Sequence, residues 1–223
     1  MKSKTANVFL LCGLIGPALF IVVFLIEGAT RANYNPLRQP VSSLAIGEPG
    51  WMQSANFIIS GLLILASAIG LGQVLRTSIR SVWGPGLIGL VAIGLIGAGI
   101  FTCDPMNGYP PGTPLVPAVR TINGRLHDLF SLPVFTALPA ACFVFARRFA
   151  KSSQRGWAAY SICAGLGMFA FFVLAGMGFK QYQGFSDIAG VFQRLSIIVG
   201  LSWISILTYH FLIEPIRDPG KNK

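Results

Sequence analysis

The sequence predicts an all-α protein, a polytopic bundle of six transmembrane helices with both termini on the cytoplasmic side. Three observations carry this reading: an apolar composition, six apolar segments of bilayer length, and a one-sided distribution of Lys and Arg. Of 223 residues, 53% are hydrophobic and only 11% charged, whereas charged residues make up roughly a quarter of a soluble domain. The formal charge is +10, but the basic residues sit in short runs between long apolar stretches. That is the pattern of membrane topology and not of a phosphate-binding face, so a nucleic-acid partner is excluded.

The segments cover about 7–27, 51–75, 83–103, 127–147, 156–178 and 187–213 of the chain, each near the roughly 20 residues that a spanning helix needs. The first, Asn7 to Ile26, exceeds the roughly 7–15 residues of a cleaved signal core and is read as a retained helix. Cys12 follows Leu11 where a lipoprotein signal needs a small residue, so it is read as a packed thiol. Cys12, Cys142 and Cys163 map to the inner half of the bilayer and Cys103 alone to the outer surface, which leaves no exported disulfide. Together the segments form one domain over 1–223.

Eleven of the seventeen Lys and Arg fall on the N-terminal side: Lys2, Lys4, Arg76, Arg80, Arg147, Arg148, Lys151, Arg155, Arg217, Lys221 and Lys223. The other six, Arg31, Arg38, Arg120, Arg125, Lys180 and Arg194, share their side with Glu27, Glu48, Asp104, Asp128 and Asp187. The positive-inside rule then makes the N-terminal side cytoplasmic, in a multi-pass protein of the cell membrane. The outer loops Gly28 to Gly50 and Asp104 to Leu126 are long and rich in Pro, Gly and Asn. The first has so many turn formers that it is expected to fold down onto the bundle. Small residues four apart, as in Ala66 and Gly70, Ala68 and Gly72, or Gly94 and Ala98, favour close helix packing. Pro17, Pro85, Pro133 and Pro139 mark kinks or first-turn positions.

Polar residues gather at the outer helix ends: Glu27, Gln53 with Asn56, Asp104, His127 with Asp128, and Gln193 with Arg194. Ionisable groups at membrane depth are costly and turn inward to partners, so these residues are expected to converge on one outward-facing pocket. Ser186 and Asp187 read as the cap of the last helix, which sets Arg194 about 10 Å further in. A carboxylate, Asp104 before Glu27, is the expected partner of its guanidinium. Asp104 closes a helix, where the macrodipole disfavours a carboxylate and calls for compensation. His127 and Asp128 open one, where the carboxylate is favoured and an imidazolium is not.

These residues resemble a prokaryotic family of six-span membrane proteins known as domain of unknown function 998. The resemblance rests on Ser42, Ser43 and Leu44 after the first helix with Gly47, on Asn56, on the Gly-Ile-Phe-x-x-Asp run from Gly99 to Asp104, on His127 and on Gln193 with Arg194. Related sequences carry an acidic residue where this one has Ser43. A fainter similarity connects the chain to autophagy-modulator-like six-span proteins, which pair a serine-containing loop with a later helix-opening His. The resemblance implies the six-span topology and no assigned activity.

Three functions fit the residues. The first is a non-enzymatic module with membrane lipids as partners, whose pocket binds a lipid headgroup or small anion through Arg194, Arg38 and Arg120, with Gln193, Glu27, Asn56 and Asp128 around them. The second is a hydrolase or transferase at the outer leaflet, with Ser42 or Ser43 as nucleophile, His127 as base and Asp104 or Asp128 orienting it. No Gly-x-Ser-x-Gly run accompanies those serines. The third is a small-solute transporter, which would need a midplane site at broken helices. The only histidines are His127 and His210, about 20 Å or more apart if both helices span the bilayer, so they share neither a metal ion nor a haem. No cofactor is expected.

Overall fold

The computed structural model describes residues 3–76, 82–117 and 119–213. Among them, six helices are long and apolar enough to cross a membrane. They are α1 (Lys4–Thr30), α2 (Trp51–Arg76), α3 (Trp83–Ile100), α4 (Ile122–Lys151), α5 (Arg155–Phe179) and α6 (Ala189–Ile213). The anchors Lys2, Arg80, Arg217, Lys221 and Lys223 lie outside the described residues. Each helix packs on its chain neighbours, and α6 closes the ring against α1. One end of the bundle, here the near end, carries the start of α1. The opposite, far end carries the connections α1–α2, α2's neighbour α3–α4, and α5–α6.

Apolar burial alone does not drive helices together in lipid, so close packing and interhelical hydrogen bonds must do it. Gly13 shows how. A Cβ at this position would stand 2.5 Å from the Ser67 Cβ and 2.6 Å from the Thr208 Cγ2, so only glycine lets α1, α2 and α6 meet. Ser205 Oγ donates to Leu14 O at 3.1 Å beside it, and Trp203 Nε1 donates to Ser161 Oγ at 3.1 Å between α6 and α5. Phe145, Phe149, Trp157, Trp203, His210 and Phe211 pack ring against ring towards the near end, with Trp157 and His210 centroids 4.3 Å apart. That end is filled by aromatic side chains.

Among the helix ends that differ from the hydropathy segments, two bear on the polar residues. The third segment, expected over 83–103 with Asp104 closing the helix, is shorter: α3 stops at Ile100 and Phe101 is extended. The fourth was expected to open at His127, but α4 begins at Ile122, capped by Thr121, whose side chain accepts from Gly124 N. Hydropathy marks the apolar span, whereas a polar first turn with a Thr cap extends the helix beyond it. His127 therefore lies in the second turn of α4.

Candidate ligand cavity

The connection from Arg31 to Gly50 is folded down on the far end. Its Tyr34 is buried and Leu44, in the 3-10 turn Val41–Ala45, has no exposed surface. Burying a loop obliges its backbone to find partners, and α6 supplies them. Arg194 Nη1 donates to Gln39 O and to Gly190 O, each at 3.0 Å, and Nη2 donates to the Tyr34 hydroxyl. The Tyr34 hydroxyl donates in turn to Pro40 O at 3.0 Å, and the guanidinium lies over the Tyr34 ring, 5.5 Å from its centroid. Burial pushes the Tyr34 phenol up to about 12, against the pull of the Arg194 charge. Gln193 Oε1 accepts from Val41 N at 2.8 Å, and Val191 N donates to Leu37 O at 3.2 Å.

The second connection is tied in from both sides. Gln39 Nε2 donates to Asn107 O at 3.3 Å, and Gln181 Nε2 to Asn107 Oδ1 at 2.7 Å, so Asn107 joins all three far-end loops. Asp104 receives Thr121 N at 3.0 Å and the Thr121 hydroxyl at 2.6 Å. Its carboxylate thus rests on the start of α4, the positive end of a macrodipole, and not on the negative end of α3. The contact requires Gly124, because a Cβ there would overlap the Asp104 carboxylate.

Beneath these loops lies a cavity of about 390 Å³, within the roughly 300–1,000 Å³ range of small-molecule sites. Its inner walls are apolar: Phe20 of α1, Phe57 of α2, Leu95 and Ala98 of α3, Val134 and Phe135 of α4, Ile197 and Leu201 of α6. Its polar lining is concentrated at the far end, with Ser42, Arg120, His127, Asp128, Ser131, Lys180 and Gln193. On α4 the lining includes Asp128, Ser131, Leu132 and Phe135, and on α5 Phe172, Gly176, Phe179 and Lys180. Each set follows helical spacing and forms one face. Asp128, Leu132 and Lys180 are exposed, so the cavity reaches the bundle surface between the far halves of α4 and α5. The stacked rings of Phe135 and Phe172, 4.5 Å between centroids, bridge that gap more deeply.

His127 is buried and lines this cavity. Its Nδ1 lies 3.0 Å from Ala98 O and 2.8 Å from Phe101 O, the carbonyls that end α3. A carbonyl only accepts, so Nδ1 carries hydrogen and Nε2 is the nitrogen left for the cavity. Gln193, whose oxygen is used by Val41 N, similarly keeps its amide donors. Arg120 Nη1 and Asp128 Oδ2 pair at 2.6 Å on the exposed rim.

The residues singled out from the sequence fall into two sets. Ser42, Arg120, His127, Asp128 and Gln193 come together on the cavity. The rest hold the far end together. Arg194 braces the first loop and has no carboxylate partner among the described residues, so the expected pair with Asp104 or Glu27 is absent. Glu27 pairs with Arg31 at 3.1 Å, Arg38 with Asp187 at 3.4 Å on the surface, and Asn56 Nδ2 donates to Phe20 O at 3.2 Å. Ser43 is fully buried without lining the cavity. No hydrogen bond joins Asp104 to His127. Sequence reasoning missed Lys180, counted only for topology, and Ser131, one helical turn beyond His127. Among the described residues no three His, Cys, Asp or Glu side chains converge as metal ligands.

The model of a family described as protein of unknown function (DUF998) matches residues 14–210 of the chain. No curated protein and no solved structure matches it.

Proposed function

The chain belongs to the family of proteins of unknown function DUF998, and we propose that this multi-pass membrane protein binds an anionic amphiphile, its headgroup among the polar far-end residues and its tail within the ring. The observation that carries the reading is the polarity gradient of one cavity that reaches the surface between two helices. Lys180 and Arg120 against Asp128 leave an excess positive charge at the mouth, while Gln193 adds neutral donors. An excess of positive charge at a partly dry mouth favours an anion. The apolar inner wall accepts a hydrocarbon chain at little cost, since its alternative is the equally apolar bilayer. On the Lys and Arg asymmetry, the far end faces outward.

Gly176 provides the test. Outside its own stretch of helix no atom lies within 4 Å of where its Cβ would be, and Gly176 lines the cavity, so Gly176→Phe adds bulk at the opening. Native mass spectrometry of the purified full chain with an anionic phospholipid should show at least tenfold weaker binding for Gly176→Phe. The variant Gly167→Phe, on the same helix, equally open and away from the cavity lining, should bind as the wild type does. Equal binding by both variants would overturn the reading.

A second reading, hydrolysis or group transfer, has one observation in its favour, that Ser42 and His127 line the same cavity. It requires release of product from a bound ester or phosphodiester that Ser42→Ala abolishes while binding persists. Binding without turnover in the wild type would leave the first reading alone.

A further inference from the structure

The tautomer of His127 adds a demand on the ligand that charge does not make. Because both groups at Nδ1 are backbone carbonyls, 3.0 and 2.8 Å away, Nδ1 is the donor of this cavity-lining ring, and in the neutral tautomer that this selects Nε2 is an acceptor. Ring rotation does not exchange the two nitrogens freely: the imidazole is only 3% exposed and packs edge-on against Phe57, with centroids 6.1 Å apart. An anion offers only acceptors, which an unprotonated Nε2 repels. A ligand satisfying this end of the cavity must therefore carry a hydrogen-bond donor as well as a negative charge.

We propose that His127 selects an anionic lipid whose headgroup bears a hydroxyl, by accepting a hydrogen bond from it at Nε2 while Lys180 and the Gln193 amide hold the anionic oxygens. The proposal rests on the cavity being a lipid site and names which lipids it takes. Its parts sit in one polar zone: His127, Ser131, Gln193 and Lys180 all line the same far-end portion of the cavity. Ser131 follows His127 by one helical turn on α4, so a headgroup hydroxyl at Nε2 is also within the neighbourhood of a second hydroxyl that can accept or donate.

The discriminating probes are phosphatidylglycerol and phosphatidylmethanol with the same acyl chains. Both are singly charged phosphodiesters, and only the first carries free hydroxyls. Native mass spectrometry or competitive binding on the full chain should show phosphatidylglycerol bound about five- to tenfold more tightly, the worth of about one hydrogen bond. His127→Leu should remove that preference, bringing the two lipids to equal affinity. Lys180→Gln should weaken both lipids alike. This wild-type comparison needs no variant, so a His127→Leu protein that fails to fold does not spare the proposal. Equal affinity of the wild type for the two lipids, or an unchanged preference in folded His127→Leu, would overturn it and leave the lipid site standing. Binding of neither lipid would instead overturn the lipid site itself.

Discussion

Arg194 illustrates what residue identity conveys and what it leaves out. Its depth in α6 announces that the charge needs partners, and opposite charge is the natural place to look. The partners are backbone carbonyls and a phenol, because a loop folded into the bundle brings acceptors with unfilled lone pairs that nothing in the composition reveals. Arg194→Leu should accordingly cost about 2–3 kcal/mol of stability, the worth of charge-assisted bonds to buried acceptors. A melting temperature at or above that of the wild type in detergent would show that the loop does not depend on the guanidinium. Tyr34 belongs to the same brace and gives it a pH limit. Its phenol rises from 10.0 to about 12 on folding, so the neutral form is favoured in the folded chain. The associated stability is fully present below pH 10 and is lost as pH climbs from there through the folded value. Melting curves should be flat in this contribution below that point and fall above it, and Tyr34→Phe should show a shallower alkaline decline. Thr121→Val, which removes both the cap of α4 and the hydroxyl bond to Asp104, should destabilise by about 1–2 kcal/mol. An unshifted unfolding temperature would refute that assignment.

At the scale of the elements, all six spans are readable from hydropathy because lipid demands a long apolar run, and their interiors match the helices observed. The ends are less legible. Ile122 to Leu126 is too polar to register as membrane span, yet Thr121 and the Asp104 carboxylate beneath it start α4 there. Glycines are similarly mute until helices are placed side by side. Gly124 is required by Asp104, whereas Gly86 of α3 faces open space. Gly124→Ala should therefore destabilise by about 1–3 kcal/mol through overpacking, and Gly86→Ala should be neutral or slightly stabilising through better helix propensity. Thermal unfolding of the pair reads the contrast directly, and equal shifts would remove the claim that Asp104 is seated on α4. Polar helix ends also concealed a division of labour. Ser42, His127, Asp128 and Gln193 were legible as site candidates from position alone, but separating them from Glu27, Asn56 and Arg194 needed the loop's path. Lys180 entered only the count of basic residues because its exposure and its cavity contact coexist on one side chain.

Across the whole molecule, the near end is packed with interlocking rings while the far end is hollow and roofed by three loops joined at Asn107. Orientation in the membrane rests on the eleven-to-six division of Lys and Arg. In a variant with its four cysteines replaced, Val119→Cys should react with an impermeant maleimide added to intact cells and Ser152→Cys only after lysis. The reverse pattern would turn the cavity towards the cytoplasm. Whichever way it faces, entry of the proposed amphiphile through the gap between α4 and α5 would set the units in which its occupancy is measured. A guest that slips in sideways never dissolves in water, so its chemical potential is that of a component of the surrounding leaflet. Saturation should then follow the mole fraction of the amphiphile among neighbouring lipids and stay indifferent to how much membrane is suspended in the tube. Diluting vesicles with buffer would leave the site as full as before, whereas diluting the same guest with inert lipid would empty it.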